Sequence, residues 1–462
     1  INEEVFPDKI VIMVQKEVAN RLAASVGTKN YGALTVFLDY FYEVKKLFDV
    51  SKNCFIPCPN VDSAVICMNL KGDRPYVKVM MLFKKIIRDA FRYKRKNLRN
   101  NFKGYNLEEI DKILKENNSK NVVLFLFDGL GYNILKENRN ICPFLYDNLI
   151  TSISSNFPST TMSARTTVES GLTPKEHGHL GWDMYFKCFD EVVCLSKNVI
   201  KGTNKSPCNY NVAKTLLKYE PVTDIINKKE GYISETLRVY SNHKTETLRK
   251  MKKKIKKLTK SKERAYVYAY YNEPDHALHN NGVGSDKMKK YLTHINKWFK
   301  KTCKSLKDTT IIALADHGHI NVEYINLMDY PSITKMLSHN ISIDDRATSF
   351  MVKKEYKKTF PLELKKILKD DFIIMTKEEV IKQGLYGPGY ENKYYKDGLG
   401  DFFALGIGNK AIRWNNKTNL HKSAHSGLTL EEMLVPLIVV NSNKIKRWWW
   451  YGKRNRIFKK IL

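Results

Sequence analysis

Three short apolar runs, each of strand length, share one arrangement along the chain. They are Val122–Phe127, Tyr266–Tyr271 and Thr309–Ala315, and such unbroken runs are typical of strands buried on both faces of a parallel sheet. An aspartate follows each run, and the three are Asp128, Asp275 and Asp316. Open α/β sheets collect their functional groups at the carboxyl ends of their strands. The pattern therefore predicts an α/β fold in which these three carboxylates form part of a functional site.

The first 118 residues follow a different pattern. Lys9–Val14 is a short apolar strand, and residues 15–22 have helical periodicity. A further helix is predicted at 106–118, where Leu107, Ile110 and Leu114 share one face. We therefore predict a domain boundary near residue 118, a second domain over 119–440, and a separate tail over 441–462.

A cluster of hydroxyl side chains lies between a proline and a predicted helix. Ser159, Thr160 and Thr161 follow Pro158, and the helical pattern continues to Gly171. A hydroxyl at a helix N-terminus lies where unpaired N–H groups favour an anion such as phosphate. An ordinary N-cap threonine explains the same pattern. This stretch alone does not decide between the two interpretations.

Composition favours a globular protein in a reducing compartment. Hydrophobic residues make up 43% of the 462 residues, which is enough for two or three cores. The eight cysteines form no CxxC pair, and no apolar run reaches membrane-spanning length. No secretory signal opens the chain. These observations predict a cytoplasmic protein.

The net charge of +31 is concentrated in three segments, 71–103, 244–264 and 444–460, which together contribute +27. Concentrated positive charge favours polyanions such as RNA or an anionic lipid surface. The segment 244–264 is better explained as a solvated helix, because Leu248, Met251 and Ile255 mark one apolar face. The tail combines tryptophans with cations, which suits an anionic surface, either a membrane interface or nucleic acid. A solvated chain end is an equal alternative for the tail.

Five fragments taken in order resemble the alkaline phosphatase superfamily, in particular its nucleotide pyrophosphatase/phosphodiesterase branch. The fragments are Phe127-Asp128-Gly129, Phe157-Pro158-Ser159-Thr160-Thr161, Asp275-His276-Ala277-Leu278-His279, Asp316-His317-Gly318 and His425-Ser426-Gly427. The resemblance covers residues 121 to 440. It implies an alkaline-phosphatase-like sandwich with a mostly parallel central sheet. It also implies an inserted cap, which we place at about 319–420 and which would select the substrate.

The resemblance also implies a set of metal ligands and a nucleophile. One divalent ion would be held by Asp275, His279 and His425. A second ion would be held by Asp128, Asp316 and His317, together with Thr161. Zinc is the expected metal, with manganese as an alternative. Thr161 would attack phosphorus to give a phosphothreonine; Thr160 is the rival nucleophile. His177, His179, His276 and His319 lie beside these motifs without matching a ligand position, and we interpret them as supporting residues.

The first 118 residues resemble the second half of the rRNA adenine N6,N6-dimethyltransferase family. The resemblance is carried by Met13–Arg21, Tyr31–Val36, Phe55–Val65 and Ala90–Asn101. It implies that Phe55 stacks on a flipped-out adenine. It also implies that basic side chains contact rRNA phosphates. These side chains are Arg88, Arg92, Arg95, Lys96 and Arg99. The family's Gly-rich S-adenosylmethionine loop and its Asn-Leu-Pro-Tyr motif are absent from the sequence, so we expect no methyl transfer by this chain alone.

The sequence thus supports two hypotheses that occupy different residues. The first is a metal-dependent phosphodiesterase or nucleotide pyrophosphatase acting on a phosphodiester or nucleotide, with a phosphomonoesterase or phosphotransferase of the same superfamily as the alternative. The second is an RNA-binding remnant of a dimethyltransferase that contacts the ribosome. An artificial join of two reading frames is a further explanation that the sequence leaves open.

Overall fold

The computed structural model describes residues 7–24, 35, 38, 41–56, 58–71, 119–241, 247–415 and 420–445. By its internal contacts the chain divides into two compact units, Ile1–Asp111 and Lys112–Leu462. The domain limits drawn from the sequence stay a prediction. Within the described residues, no helix is both long and apolar enough to cross a membrane.

The first unit contains a three-stranded antiparallel sheet in the order β1-β3-β2. Its elements are β1 (Lys9–Gln15), α1 (Lys16–Leu22), β2 (Tyr42–Val50) and β3 (Ser63–Leu70). The helix packs Ala19 and Leu22 against Ala64 and Ile66 of the sheet. Several large apolar side chains stay exposed, namely Val11, Met13, Leu47, Phe48 and Ile56. The described part of this unit therefore has a small core and an uncovered apolar surface.

The second unit contains the remaining strands and helices. The strands are β4 (Asn121–Phe127), β5 (Leu149–Ser154), β6 (Asp183–Phe186), β7 (Glu191–Cys194), β8 (Val199–Ile200), β9 (Tyr232–Val239), β10 (Arg264–Tyr271), β11 (Thr309–Leu314), β12 (Ile320–Asn321), β13 (Glu323–Asn326), β14 (Ser342–Ile343), β15 (Ala347–Phe350), β16 (Phe372–Thr376), β17 (Phe402–Gly406), β18 (Lys410–Arg413), β19 (Ser423–Ala424) and β20 (Leu434–Asn441). The helices are α2 (Tyr132–Glu137), α3 (Pro143–Asp147), α4 (Thr161–Ser170), α5 (Pro174–His177), α6 (Val212–Leu216), α7 (Val222–Asn227), α8 (Leu248–Leu258), α9 (Asp275–Asn281), α10 (Asp286–Cys303), α11 (Pro331–Thr334), α12 (Phe360–Leu368), α13 (Lys377–Gln383), α14 (Tyr395–Gly398) and α15 (Leu430–Met433).

A six-stranded sheet in the order β5-β20-β11-β4-β10-β9 forms the centre of the second unit. Strands β11, β4, β10 and β9 are mutually parallel, whereas β20 runs antiparallel to both β11 and β5. The prediction of an α/β fold with a mostly parallel central sheet is therefore confirmed. The three apolar runs identified in the sequence are the adjacent strands β10, β4 and β11.

Both faces of this sheet are covered at its centre, which explains why the central strands β4, β10 and β11 are largely apolar. On one face Val123, Phe125 and Phe127 of β4 pack against α8 and α10. Leu124 and Leu126 point to the other face and pack with tyrosines of β10. Helix α8 buries Leu248, Met251 and Ile255, so the amphipathic helix predicted within 244–264 is confirmed.

A second sheet, entirely antiparallel, has the order β16-β17-β15-β14-β6-β7-β8. Its strands come from two separate stretches, 183–200 and 342–406. The predicted cap segment 319–420 therefore shares its sheet with residues that precede Asp275. Sequence order alone did not indicate this pairing.

Candidate active site

The parallel strands of the central sheet place three aspartates at one edge. Asp128 directly follows β4, Asp316 follows β11, and Asp275 is the first residue of α9 after β10. A backbone hydrogen bond holds two of them together, because the Asp275 amide donates to the Asp128 carbonyl over 2.9 Å. Gly129 (φ +73°) permits this contact, since a Cβ at that position would lie 2.9 Å from Asp275 Cα.

Asp275 and three histidines form a first ligand group: Asp275, His279, His319 and His425. One candidate ligand atom from each lies within 4.8 Å of all the others. The Nε2 atoms of His319, His279 and His425 lie 2.7, 3.3 and 3.8 Å from Asp275 Oδ1. Helix α9 brings Asp275 and His279 together at i and i+4, so the predicted helical spacing is confirmed.

A second ligand group contains Asp128, Asp275 and His317. His317 Nε2 lies 3.3 Å from Asp128 Oδ1 and 3.7 Å from Asp316 Oδ2. Asp316 Oδ1 accepts hydrogen bonds from the amides of Gly129 and His317. Its Oδ2 is buried and has no hydrogen-bond partner within the described residues. A buried carboxylate oxygen without a donor is costly, and a cation would satisfy it.

In the metal-free protein, the pKa shifts of the histidines favour binding of a cation at both ligand groups. Burial lowers the pKa of His279 to about 3, and burial with the neighbouring histidines holds the pKa values of His319 and His425 well below the usual range. Neutral imidazole is the form that ligates a metal. Burial opposes a charge on His317, but Asp316 and Asp128 outweigh it and raise the pKa of His317 to about 10. Without metal, His317 is therefore protonated and supplies positive charge among the carboxylates of the second group, and a cation bound there would take the place of that proton.

Thr161 is directed into the second ligand group, and Thr160 is not. Thr161 opens α4, and its Oγ1 lies 3.1 Å from His317 Nε2 and 3.4 Å from Asp128 Oδ1. Thr160 holds the N-cap position, yet neither hydroxyl is engaged in capping, and Thr160 Oγ1 donates to Asp344 Oδ2 over 2.6 Å. The structure thus gives the two threonines different neighbours, which the sequence did not separate. The N-cap explanation for this stretch finds no support.

A buried ion pair, not identified from the sequence, fixes the turn that carries His425. Arg346 donates from Nε and Nη2 to the two Glu432 carboxylate oxygens over 2.7 and 2.8 Å, and both side chains are fully buried. Glu432 Oε1 also accepts from the Gly427 amide, and the Arg346 amide donates to Ser426 Oγ. Neither residue carries a motif, so only packing reveals this role.

The remaining site residues predicted from the sequence belong to the first unit. Phe55 is half-buried and follows a short 3₁₀ turn, Lys52–Cys54. The five basic residues assigned to rRNA contact and the aromatic tail from 446 onwards lie outside the described residues. The residues named are Arg88, Arg92, Arg95, Lys96 and Arg99.

His319 is the residue in the ligand groups that the sequence analysis did not assign to a metal. In the sequence it matches no ligand position of the motifs, which favours a supporting role. The signal that could have identified it is a second histidine only two residues after His317, directly beside the motif Asp316-His317-Gly318.

A covered parallel sheet with buried carboxylates, imidazoles and a hydroxyl at one edge defines a hydrolase-type α/β protein. Residues 122–388 match the family model "Type I phosphodiesterase / nucleotide pyrophosphatase". The chain belongs to this family, and it is a phosphoric ester hydrolase.

Solved structures support the fold. Murine ectonucleotide pyrophosphatase/phosphodiesterase 5 superposes with a TM-score of 0.53 at 16% identity, covering 68% of this chain and 87% of that one. The human protein of the same name gives a TM-score of 0.54 at 16% identity, covering 69% and 87%. At this identity the likeness shows the fold, and the expected alkaline-phosphatase-like architecture is confirmed.

Residues 1–125 match a second family model, "Ribosomal RNA adenine dimethylase". Ribosomal RNA small subunit methyltransferase A of Thermotoga petrophila is 46% identical over 98 residues, which are 21% of this chain and 36% of that protein. The corresponding protein of Mycoplasma mobile is 42% identical over 114 residues, covering 24% and 44%. The chain therefore spans less than half the length of these relatives.

Proposed function

We propose that the second unit hydrolyses phosphodiester or nucleotide pyrophosphate bonds through a covalent intermediate on Thr161, with two bound divalent cations. The observation that carries this proposal is the position of Thr161 Oγ1, 3.1 Å from His317 Nε2 and beside Asp128. The rival hydroxyl of Thr160 is held by Asp344. The family match supports the phosphodiester or nucleotide as the substrate class.

The ligand groups suit two cations of different preference. Asp275, His279 and His425 would hold the first ion. Asp128, Asp316, His317 and Thr161 would hold the second. Imidazole-rich sets favour zinc, and the carboxylates of the second group also accommodate manganese. When bound, the two ions would neutralise charge on the phosphoryl oxygens, lower the pKa of the threonine hydroxyl and stabilise the leaving oxygen.

The covalent route divides the reaction into two displacements at phosphorus. Thr161 Oγ1 forms a bond to phosphorus as the bond to the leaving oxygen breaks, and the leaving group departs with the proton that the hydroxyl loses. Water then attacks the phosphothreonine, its oxygen stays on the phosphate, and a proton returns to Thr161. Asp128 and His317 lie 3.4 and 3.1 Å from Thr161 Oγ1, and they would orient the hydroxyl before the first displacement and after the second.

Substitution of the two threonines tests the proposal. Thr161→Ala should remove nearly all hydrolysis of bis-(p-nitrophenyl) phosphate, whereas Thr160→Ala should have a mild effect and Thr161→Ser should retain partial turnover. Because neither hydroxyl caps α4, the two Thr161 variants should lose no helix-capping bond, whereas Thr160→Ala removes a buried hydrogen bond to Asp344 and should lower the melting temperature. Metal content and melting temperature are measured beside the rate.

One outcome would exclude Thr161 as the nucleophile. It is a folded Thr161→Ala variant that keeps its metals and more than about a tenth of the turnover, a barrier change under ~1.4 kcal/mol. The second step would then be absent, and water would attack the substrate directly.

A second function is proposed for the first unit, namely binding of rRNA. The observation that favours it is the match of 42–46% identity to rRNA methyltransferases over about a hundred residues. The half-buried Phe55 offers a ring for base stacking, and the basic segment 71–103 offers cations for phosphates.

A further inference from the structure

His319 and His425 lie opposite each other because of a short strand pair. Strand β12 pairs antiparallel with β19, with Ile320 opposite Ala424 and Asn321 opposite Ser423. His319 directly precedes β12, and His425 directly follows β19. The register therefore brings the two imidazoles to the same end of the pair, with ring centroids 5.0 Å apart.

All three histidines of the first ligand group have the same orientation. Each engages its Nδ1 with an oxygen: His279 with the Ser423 carbonyl (2.8 Å), His319 with Ser423 Oγ (3.2 Å) and His425 with the Ser159 carbonyl (3.0 Å). Each then points its Nε2 at Asp275 Oδ1. Metal-ligating histidines show this arrangement, in which the second ring nitrogen bonds a backbone or side-chain oxygen that fixes the tautomer.

We propose that His319 is a direct fourth ligand of the first ion, so that this ion is held by Asp275, His279, His319 and His425. The inference rests on the metal-dependent function proposed above and adds a ligand to the three that the family resemblance implies. The convergence of three equivalent Nε2 atoms on one carboxylate oxygen carries it. The contrasting possibility is that His319 only orients Asp275 by donating a hydrogen bond from Nε2 over 2.7 Å.

A fourth ligand has a consequence for the first ion. A zinc ion with four protein ligands is firmly held, and such a site can expand to five-coordination when a substrate oxygen joins it. We therefore expect the first ion to be held more firmly in the parent protein than in a variant without His319. His319→Ala should lose this ion at a lower chelator concentration than the parent does.

The direct test counts imidazoles on the first ion. An Asp128→Asn background weakens the second ligand group, and one equivalent of zinc is then added to metal-free protein. X-ray absorption should show three imidazoles per zinc when His319 is present and two in His319→Ala. Two imidazoles in the presence of His319 would overturn the proposal without reliance on any substitution at that position.

Zinc affinity separates a ligand from an orienting residue. In the same background, His319→Ala and His319→Gln should both weaken zinc binding by more than about 100-fold, beyond the 10–100-fold typical of residues that support a ligand. Glutamine keeps a donor for Asp275 but brings no imidazole, so a His319→Gln variant within about tenfold of the parent Kd would contradict the proposal. The exposed His294, which lies outside both ligand groups, is the control, and His294→Ala should bind zinc as the parent does.

The zinc-coordination test of His319 and the activity test of the proposed function can fail independently of each other. Zinc coordination is measured without turnover, so a Thr161→Ala variant that retained activity would leave the imidazole count unchanged. Conversely, a count of two would leave the nucleophile and the second ligand group as they are.

Discussion

The unit with the higher sequence identity to known proteins covers the smaller part of them. The first unit is 42–46% identical to curated relatives, yet its described residues form three strands with exposed apolar side chains such as Met13 and Phe48. The second unit is only 16% identical to solved structures but covers 87% of them, and its six-stranded sheet is covered on both faces. High identity in this chain accompanies partial coverage of the relative, and low identity accompanies coverage of most of the matched structure.

The comparison shows that an activity can be assigned where the chemical groups that perform it are brought together. In the second unit, strands far apart in sequence deliver carboxylates, imidazoles and a hydroxyl to one edge. In the first unit, the match spans 36–44% of the relatives, so their methyl transfer cannot be carried over from identity alone. Activities can therefore be assigned to the second unit by its site and to the first unit only as a proposal.

Metal removal should have the largest effect and should act on one unit only. Exhaustive chelation should lower hydrolysis of bis-(p-nitrophenyl) phosphate by more than ~1,000-fold, because the ions contribute several kcal/mol of charge stabilisation. Zinc or manganese should restore the rate. Retention of an rRNA fragment, measured in the same samples, should not change. Full activity after exhaustive chelation would exclude the two-ion scheme.

Breaking the buried ion pair should have the next largest effect. Arg346→Met leaves Glu432 buried without its cation and should lower the free energy of unfolding of the second unit by about 3–5 kcal/mol. The exposed pair Lys254–Glu235 is the control, and Lys254→Met should cost less than ~1 kcal/mol.

Denaturant unfolding, followed by tryptophan fluorescence, measures both variants. All six tryptophans of the chain lie beyond residue 112, three of them at 448–450, so no tryptophan of the first unit contributes to the signal. Equal stability of Arg346→Met and the parent would show that the pair does not hold the His425 turn in place.

Removing residues 1–118 should have the smallest effect on hydrolysis. A chain that begins at Ser119 should keep its turnover within about twofold, since every residue assigned to the site lies beyond that point. Its retention on rRNA should weaken, and the dependence of binding on salt should become shallower by ~0.7–0.9 per lost phosphate contact. Loss of hydrolysis in a folded product would contradict the assignment of hydrolysis to the second unit alone.

Much of the second unit could be predicted from sequence because its signals are local. The runs that became β4, β10 and β11 are apolar throughout, and their following aspartates are adjacent in sequence to the strands that place them. The i, i+4 relation of Asp275 and His279 also needs only one helix. By contrast, the pairing of β6 with β14 joins residues more than a hundred positions apart, and the local sequence of neither strand predicts the strand with which it pairs.

The sequence by itself determined the class of fold, the family and the residue types available for catalysis, because periodicity and short motifs are properties of neighbouring residues. The tertiary structure decided which of two adjacent threonines faces the carboxylates, that His319 joins the first ligand group, and that Arg346 closes on Glu432. These outcomes depend on where distant segments meet. Thr160 and Thr161 are adjacent in the chain, yet the first is bonded to Asp344 and the second lies beside His317, and both partners are more than 150 residues away in sequence.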